Sequence, residues 1–235
     1  MSFEKLFEDW QNEHKFTAFI KDGIVNPETY EKPHILFILR DMNCNEDKDL
    51  RKCLSYDGSG WKTWNNIGRW TKALLDGDEE YPYDMSGNNR IEQLKRIAVM
   101  NLKKEGGTAR TNGNELLEVV KTQKDFIMQE ITLCQPDIII CCGLTSAGIT
   151  GNDVLLKDNV FEGSTDWQNF NSESLNRKWW YYKTSINEKQ IPVIGFCHPQ
   201  VTHLGKNRGH EQLFKPLYRD MLLIRKLFIS QKGKK

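Results

Sequence analysis

Three polar side chains of different chemistry each follow a short apolar run. Asp41 comes after His34-Ile35-Leu36-Phe37-Ile38-Leu39 and Arg40, Asn101 after Ile97-Ala98-Val99-Met100, and His198 after Ile191-Pro192-Val193-Ile194-Gly195-Phe196-Cys197. A carboxylate can meet substrate at a strand tip, an amide offers both a donor and an acceptor, and an imidazole can donate or accept a proton near neutral pH. At the ends of parallel strands the three could face a common crevice. Taken singly, each has a plainer role: Asp41 can cap a turn, and a single histidine at a strand end is commonly structural. One Asp, one Asn and one His make a poor zinc set, and His203 and His210 would have to fold back to help, so neither a metal nor another cofactor is expected.

The elements that must position these residues follow from hydrophobic periodicity. The three runs above, with Pro136-Asp137-Ile138-Ile139-Ile140-Cys141-Cys142-Gly143, lack alternation and so read as strands buried on both faces. In a parallel sheet their ends share one edge, where open α/β sheets place their sites. Between them lie helical patterns. Ser2 precedes Phe3, Leu6, Phe7 and Trp10, with Phe16, Phe19 and Ile20 continuing the spacing; residues 64–75 carry Ile67, Trp70, Ala73 and Leu74 in phase. Residues 90–95 suit a short helix, 115–134 an amphipathic one with a candidate break near 121–124, and 211–229 another, while Thr145-Ser146-Ala147 can open a further helix. Residues 43–59 read as a polar loop carrying Cys53 and Tyr56. In the poorly patterned stretch 150–190, Trp179-Trp180-Tyr181-Tyr182 suits an edge strand or hairpin. The expected fold is a single α/β domain over 1–235: a three-layer α/β/α sandwich with a central, mainly parallel four-stranded sheet, an N-terminal packing helix and a basic C-terminal helix.

Composition narrows the function classes. The net charge of +1 conceals an asymmetry, because residues 206–235 carry +7 and the remainder −6. A basic end permits a nucleic-acid contact, although a solvated helix and tail would look the same. The loop after Asn101, with Lys103, Lys104, Gly106, Gly107 and Arg110, suits a phosphate and is equally an ordinary loop. Six cysteines without a CxxC pair favour reduced thiols over a disulfide framework or a cysteine-bound metal cluster. The acidic start does not resemble a signal peptide, and no run approaches the ~18 apolar residues needed to span a bilayer. A cytoplasmic monomer without a membrane partner is expected.

On these residues the chain resembles the uracil-DNA glycosylase superfamily. Leu39-Arg40-Asp41-Met42-Asn43 stands where the family has its water-activating motif, and Val99-Met100-Asn101 is similar to the strand bearing its base-reading asparagine. Gln135-Pro136-Asp137 through Gly143-Leu144-Thr145-Ser146-Ala147 looks like its third strand and turn, and His198-Pro199-Gln200 like the start of its His-Pro-Ser motif. The resemblance covers about residues 33–204 and implies a monofunctional DNA glycosylase that flips uracil or another modified base out of DNA, single- or double-stranded, for base excision repair. It makes Asp41 and His198 the catalytic pair and Asn101 the base reader. Trp64 is the first choice for the stacking aromatic, Tyr56 and Trp61 are rivals, and Arg40 lies nearby. Lys103, Lys104, Arg110, Gln200, Leu204, Lys206 and Arg208 would meet DNA. Two motifs depart from the family: Met42-Asn43 replaces Pro-Tyr, and Thr202 replaces the leucine wedge, leaving Leu204 or Val201 to serve or a single-stranded target that needs none. A catalytically silent nucleic-acid or nucleotide-binding protein of the same fold is the alternative, and a small-molecule hydrolase or transferase the third.

Overall fold

The computed structural model describes residues 1–56, 62–106, 112–146 and 148–230. Helix α1 (Phe3–His14) starts where Ser2 Oγ accepts the Lys5 N–H and stops at Lys15, whose backbone is left-handed (φ 50°). Phe16, Phe19 and Ile20 therefore lie beyond the helix although they continue its spacing. Phe19 and Ile20 are still buried, delivered by the chain that enters strands β1 (Ile20–Lys21) and β2 (Gly23–Ile24). Strand β3 (Ile35–Leu39) is buried at every position, as its unbroken apolar run requires. Strand β4 (Lys48–Asp49) pairs with β1, and helix α2 (Leu50–Tyr56) occupies part of what reads as a loop, held by buried Leu50 and Leu54. Helix α3 (Lys62–Leu75) and helix α4 (Gly87–Leu94) precede β5 (Ala98–Asn101).

The amphipathic stretch after that is two helices, α5 (Gly113–Thr122) and α6 (Lys124–Cys134), parted at Gln123. After β6 (Ile138–Cys142), helix α7 (Asn152–Asn159) begins later than Thr145, with Gly151 at its N-cap. The aromatic stretch forms the hairpin β7 (Gln168–Ser172) and β8 (Arg177–Ile186), which continues into β9 (Lys189–Phe196). A small ribbon, β10 (His203–Leu204) with β11 (Asn207–Arg208), leads into helix α8 (Lys215–Ile224), which a widened π turn flanks on each side (His210–Phe214 and Arg225–Ile229).

The main sheet has seven strands in the order β2-β5-β3-β6-β9-β8-β7 and is mixed, not four-stranded. The pairs β5–β3, β3–β6 and β6–β9 are parallel, whereas β2, β8 and β7 join antiparallel. Strand β8 is paired on both sides, so the edge position falls to β7. The extra strands escape an apolar-run reading because β2 has only two residues and β7 is largely polar and exposed. Helices cover both faces: Ile35, Phe37 and Leu39 pack with residues of α3 and α8, while Leu36 and Ile38 pack with α1, α5, α6 and α7. All six cysteines are unpaired, four of them buried. Among the described residues no helix is long and apolar enough to cross a membrane.

Candidate functional site

Strands β3, β6 and β9 end side by side, with β6 in the middle contributing Gly143. That glycine has φ +125° and no side chain, and a Cβ there would lie 3.0 Å from Arg40 Nε. The Arg40 guanidinium uses this gap to cross from β3 toward β9. Its terminal nitrogen donates to the Leu144 carbonyl (3.1 Å) and its Nε to Asn152 Oδ1 (3.4 Å). Burial lowers the Arg40 pKa, and the nearby carboxylates of Asp41 and Asp153 oppose that shift. Asp41, half-buried, and Asp153, buried, thus both act on Arg40 through their charge.

His198 follows β9 at the head of a turn in which Val201 N–H donates to the His198 carbonyl (2.9 Å). The Gln200 backbone N–H donates to His198 Nδ1 (3.1 Å). With Nδ1 accepting, the proton of the neutral ring sits on Nε2. Desolvation, and then the Arg40 charge, lowers the His198 pKa to about 4. The residue is nonetheless exposed at the sheet edge. At neutral pH it is an uncharged Nε2–H donor. We expect an NMR titration of the His198 ring nitrogens to show the Nε2–H tautomer and a midpoint near 4, moving up in Arg40→Gln but staying below the ordinary histidine value, because burial remains. An Nδ1–H tautomer in the wild type would contradict the assignment.

Two residues that sequence reasoning missed complete the floor. Asn152 is fully buried, and its amide donates to the carbonyls of Ile38 (3.2 Å) and Cys142 (2.9 Å), tying β3 to β6. Asp153 sits against Gly195, where a Cβ would come within 2.1 Å of its carboxylate; burial raises its pKa. The available signals were Gly151-Asn152-Asp153 opening a helix and a glycine inside an otherwise apolar strand. Beneath His198, Phe196 stacks on Trp179 (4.2 Å), whose indole donates to Asp220 (2.8 Å) and so steadies the end of β9.

Other expected site residues lie elsewhere. Asn101 is 2 % exposed, and both its backbone N–H (2.7 Å) and its side-chain amide (3.0 Å) donate to Asp22 Oδ2, which corrects its reading as a base-facing residue. Lys104 is fully buried between Asp22 and Glu130, with its Nζ 2.7 Å from Glu130 and 5.3 Å from the Trp10 ring centre, so it does not face DNA. Lys103 is nearly buried and pairs with Glu115. Lys104 turns inward to Asp22, 82 residues earlier in the chain, while Lys103 pairs with Glu115 at the start of α5. Trp64 is 3 % exposed and packs in the core beside Ile67 and Trp70, closed to a stacking base. Tyr56 is 83 % exposed at the end of α2, while Trp61 and Arg110 lie outside the described residues. Gln200, Lys206 and Arg208 are exposed and Leu204 half-buried, all on the turn and ribbon after His198. Among the described residues no group of three or more metal-binding side chains converges.

The buried cluster has its own titration. Glu130 is fully buried, and its contact with Lys104 is a charge contact without hydrogen-bond alignment. Burial, reinforced by Asp22, raises the Glu130 pKa well above the usual carboxylate value, and Lys104 only partly opposes this. The folded chain therefore holds a proton that the unfolded chain has released above about 4.5, and stability falls as pH rises from there. We expect Glu130→Gln to lose less stability than the wild type between pH 5 and 8 in urea unfolding; parallel pH profiles would refute it. Comparison with protein-family models, curated proteins and solved structures found no match to this chain.

Proposed function

We propose that the protein is a monofunctional DNA N-glycosylase acting on uracil or another altered base, without a metal, on a uracil-DNA glycosylase-like fold. The supporting architecture is the run of parallel neighbours β5-β3-β6-β9 with helices on both faces, which puts Asp41 and His198 at one sheet edge. Hydrolysis breaks the C1′–N bond, sends the bonding pair to the base and leaves a cation-like sugar that water attacks. Asp41 orients that water and stabilises the sugar; His198 Nε2–H donates to the oxygen on which charge gathers as the base leaves. Burial, aided by the Arg40 charge, holds His198 neutral.

The observation that carries this reading is the Gln200 N–H to His198 Nδ1 bond, because it leaves Nε2–H as the donor of the neutral ring, on the sheet edge that also carries Asp41. The test is incubation with uracil-containing and heavily modified genomic DNAs, with released bases identified by mass spectrometry. One or more free bases are expected; none from any DNA overturns the activity. A second reading, a silent nucleic-acid or nucleotide binder, is favoured by the commitment of the Asn101 amide to Asp22. DNA binding without base release would select it.

A further inference from the structure

We propose that the crevice between α3 and the turn after β9 is a second nucleobase site, which holds the base next to the reacting nucleotide on the same strand. It rests on the nucleic-acid reading above and extends it from a single base to a polynucleotide in single-stranded form. The crevice encloses about 320 Å³, with Lys62, Asn65, Asn66 and Arg69 on one wall and Gln200, Val201 and Thr202 on the other. Phe214 and His210 close its end, their rings edge to face at 5.2 Å. Apolar faces suit the flat surface of a base, and the Gln200 amide offers a donor and an acceptor to its edge while Asn65, whose oxygen accepts from Arg90 (2.7 Å), offers its N–H groups.

The walls are already held in place. Asn66 is 6 % exposed; its amide donates to the Pro199 carbonyl (2.6 Å), and its oxygen accepts from Arg69 (3.1 Å). Arg69 is held in turn by the carbonyls of Pro82 (3.0 Å) and Tyr83 (2.8 Å). The crevice wall is thereby bonded to the turn that carries His198.

Spacing and charge select the occupant. His198 and Val201 are the ends of one hydrogen-bonded turn, so their Cα atoms lie within about 7 Å. Successive nucleotides of one strand are about 3.4 Å apart when stacked and about twice that when extended. A base at His198 thus brings its neighbour to the crevice mouth without a change of path. Lys62 stands exposed at that mouth and Lys206 and Arg208 beyond the turn, whereas Glu211 is engaged by Lys215 and Tyr83. An anionic backbone fits this arrangement.

The test is displacement of a fluorescein-labelled thymidine octanucleotide, at low salt, by unlabelled thymidine nucleotides one, two and four residues long. For the wild type the dinucleotide should bind about tenfold more tightly than the mononucleotide, as one stacked base requires. Thr202→Trp, which fills the crevice from its exposed rim, and Phe214→Ala, which removes a stacking wall, should each reduce that step below twofold while circular dichroism stays unchanged. A missing step in the wild type, or a full step in both variants, overturns the crevice and leaves the glycosylase reading standing. An octanucleotide that does not bind at all overturns both. Equal displacement by a glutamate peptide of matched charge would reassign the surface to acidic polypeptides and overturn the proposal.

Discussion

Replacing Lys104 by methionine should lower the unfolding free energy by about 3–5 kcal/mol, the usual cost of removing one partner from a buried ion pair. Lys104 is fully buried, with Asp22 and Glu130, also buried, on either side. Burial alone would depress the lysine pKa, but the two carboxylates outweigh it and raise it. Its contribution is therefore complete below about pH 10.5 and fades only above that. Without the cation, two carboxyl groups face each other out of water. Asp22 also accepts both Asn101 donors, so the damage should spread to the end of β5. Urea unfolding at pH 7 measures the loss, and a change below about 1 kcal/mol would show that the cluster is open to water. The double variant Lys104→Met, Glu130→Gln should recover part of it, because it also removes the second ionisable carboxyl group beside Asp22. Exposed Lys206 provides the control: its replacement should change stability by less than about 0.5 kcal/mol.

Asp41→Asn should slow base release by about 10²–10⁴-fold, the range for removing a positioned general base. His198→Leu should cost about 10²–10³-fold by deleting one donor to the departing oxyanion. The double variant should lose less than the product of the two, since both groups serve one transition state. Single-turnover measurement on the most readily released base separates these effects from binding. Retention of more than a tenth of the wild-type rate in Asp41→Asn would remove Asp41 from the mechanism. Because His198 stays neutral down to about pH 4, its contribution should show no inflection near 6.5. An inflection there that disappears in His198→Leu would mean that neither burial nor Arg40 holds the ring neutral.

The strand ends show how far residue type can be read without coordinates. Arg40, Asp41 and His198 lie at one sheet edge because three consecutive neighbours in the sheet are parallel, a consequence already implicit in apolar runs alternating with helices. Asn101 occupies the same kind of position by pattern, yet its amide is bonded to a carboxylate 79 residues earlier in the chain. The basic loop divides in the same way. Lys104 faces a carboxylate on α6 and Lys103 one on α5, so a lysine that looks solvated in sequence is an interior cation in the fold. Trp64 sits at the start of its helix as expected, but on the core side, where Ile67 and Trp70 already point.

Residue order alone carries the strands that form the parallel part of the sheet, most of the helices that cover them and the chemical types at the strand ends. Burial on two faces or on one leaves a periodic trace in residue order. Tertiary structure alone decided which polar group meets which partner, that Arg40 reaches over Gly143 toward His198, and that Asn152 and Asp153 form the floor. A polar side chain declares how many hydrogen bonds it can make, whereas the partner that satisfies them is chosen by folding, often across about a hundred residues.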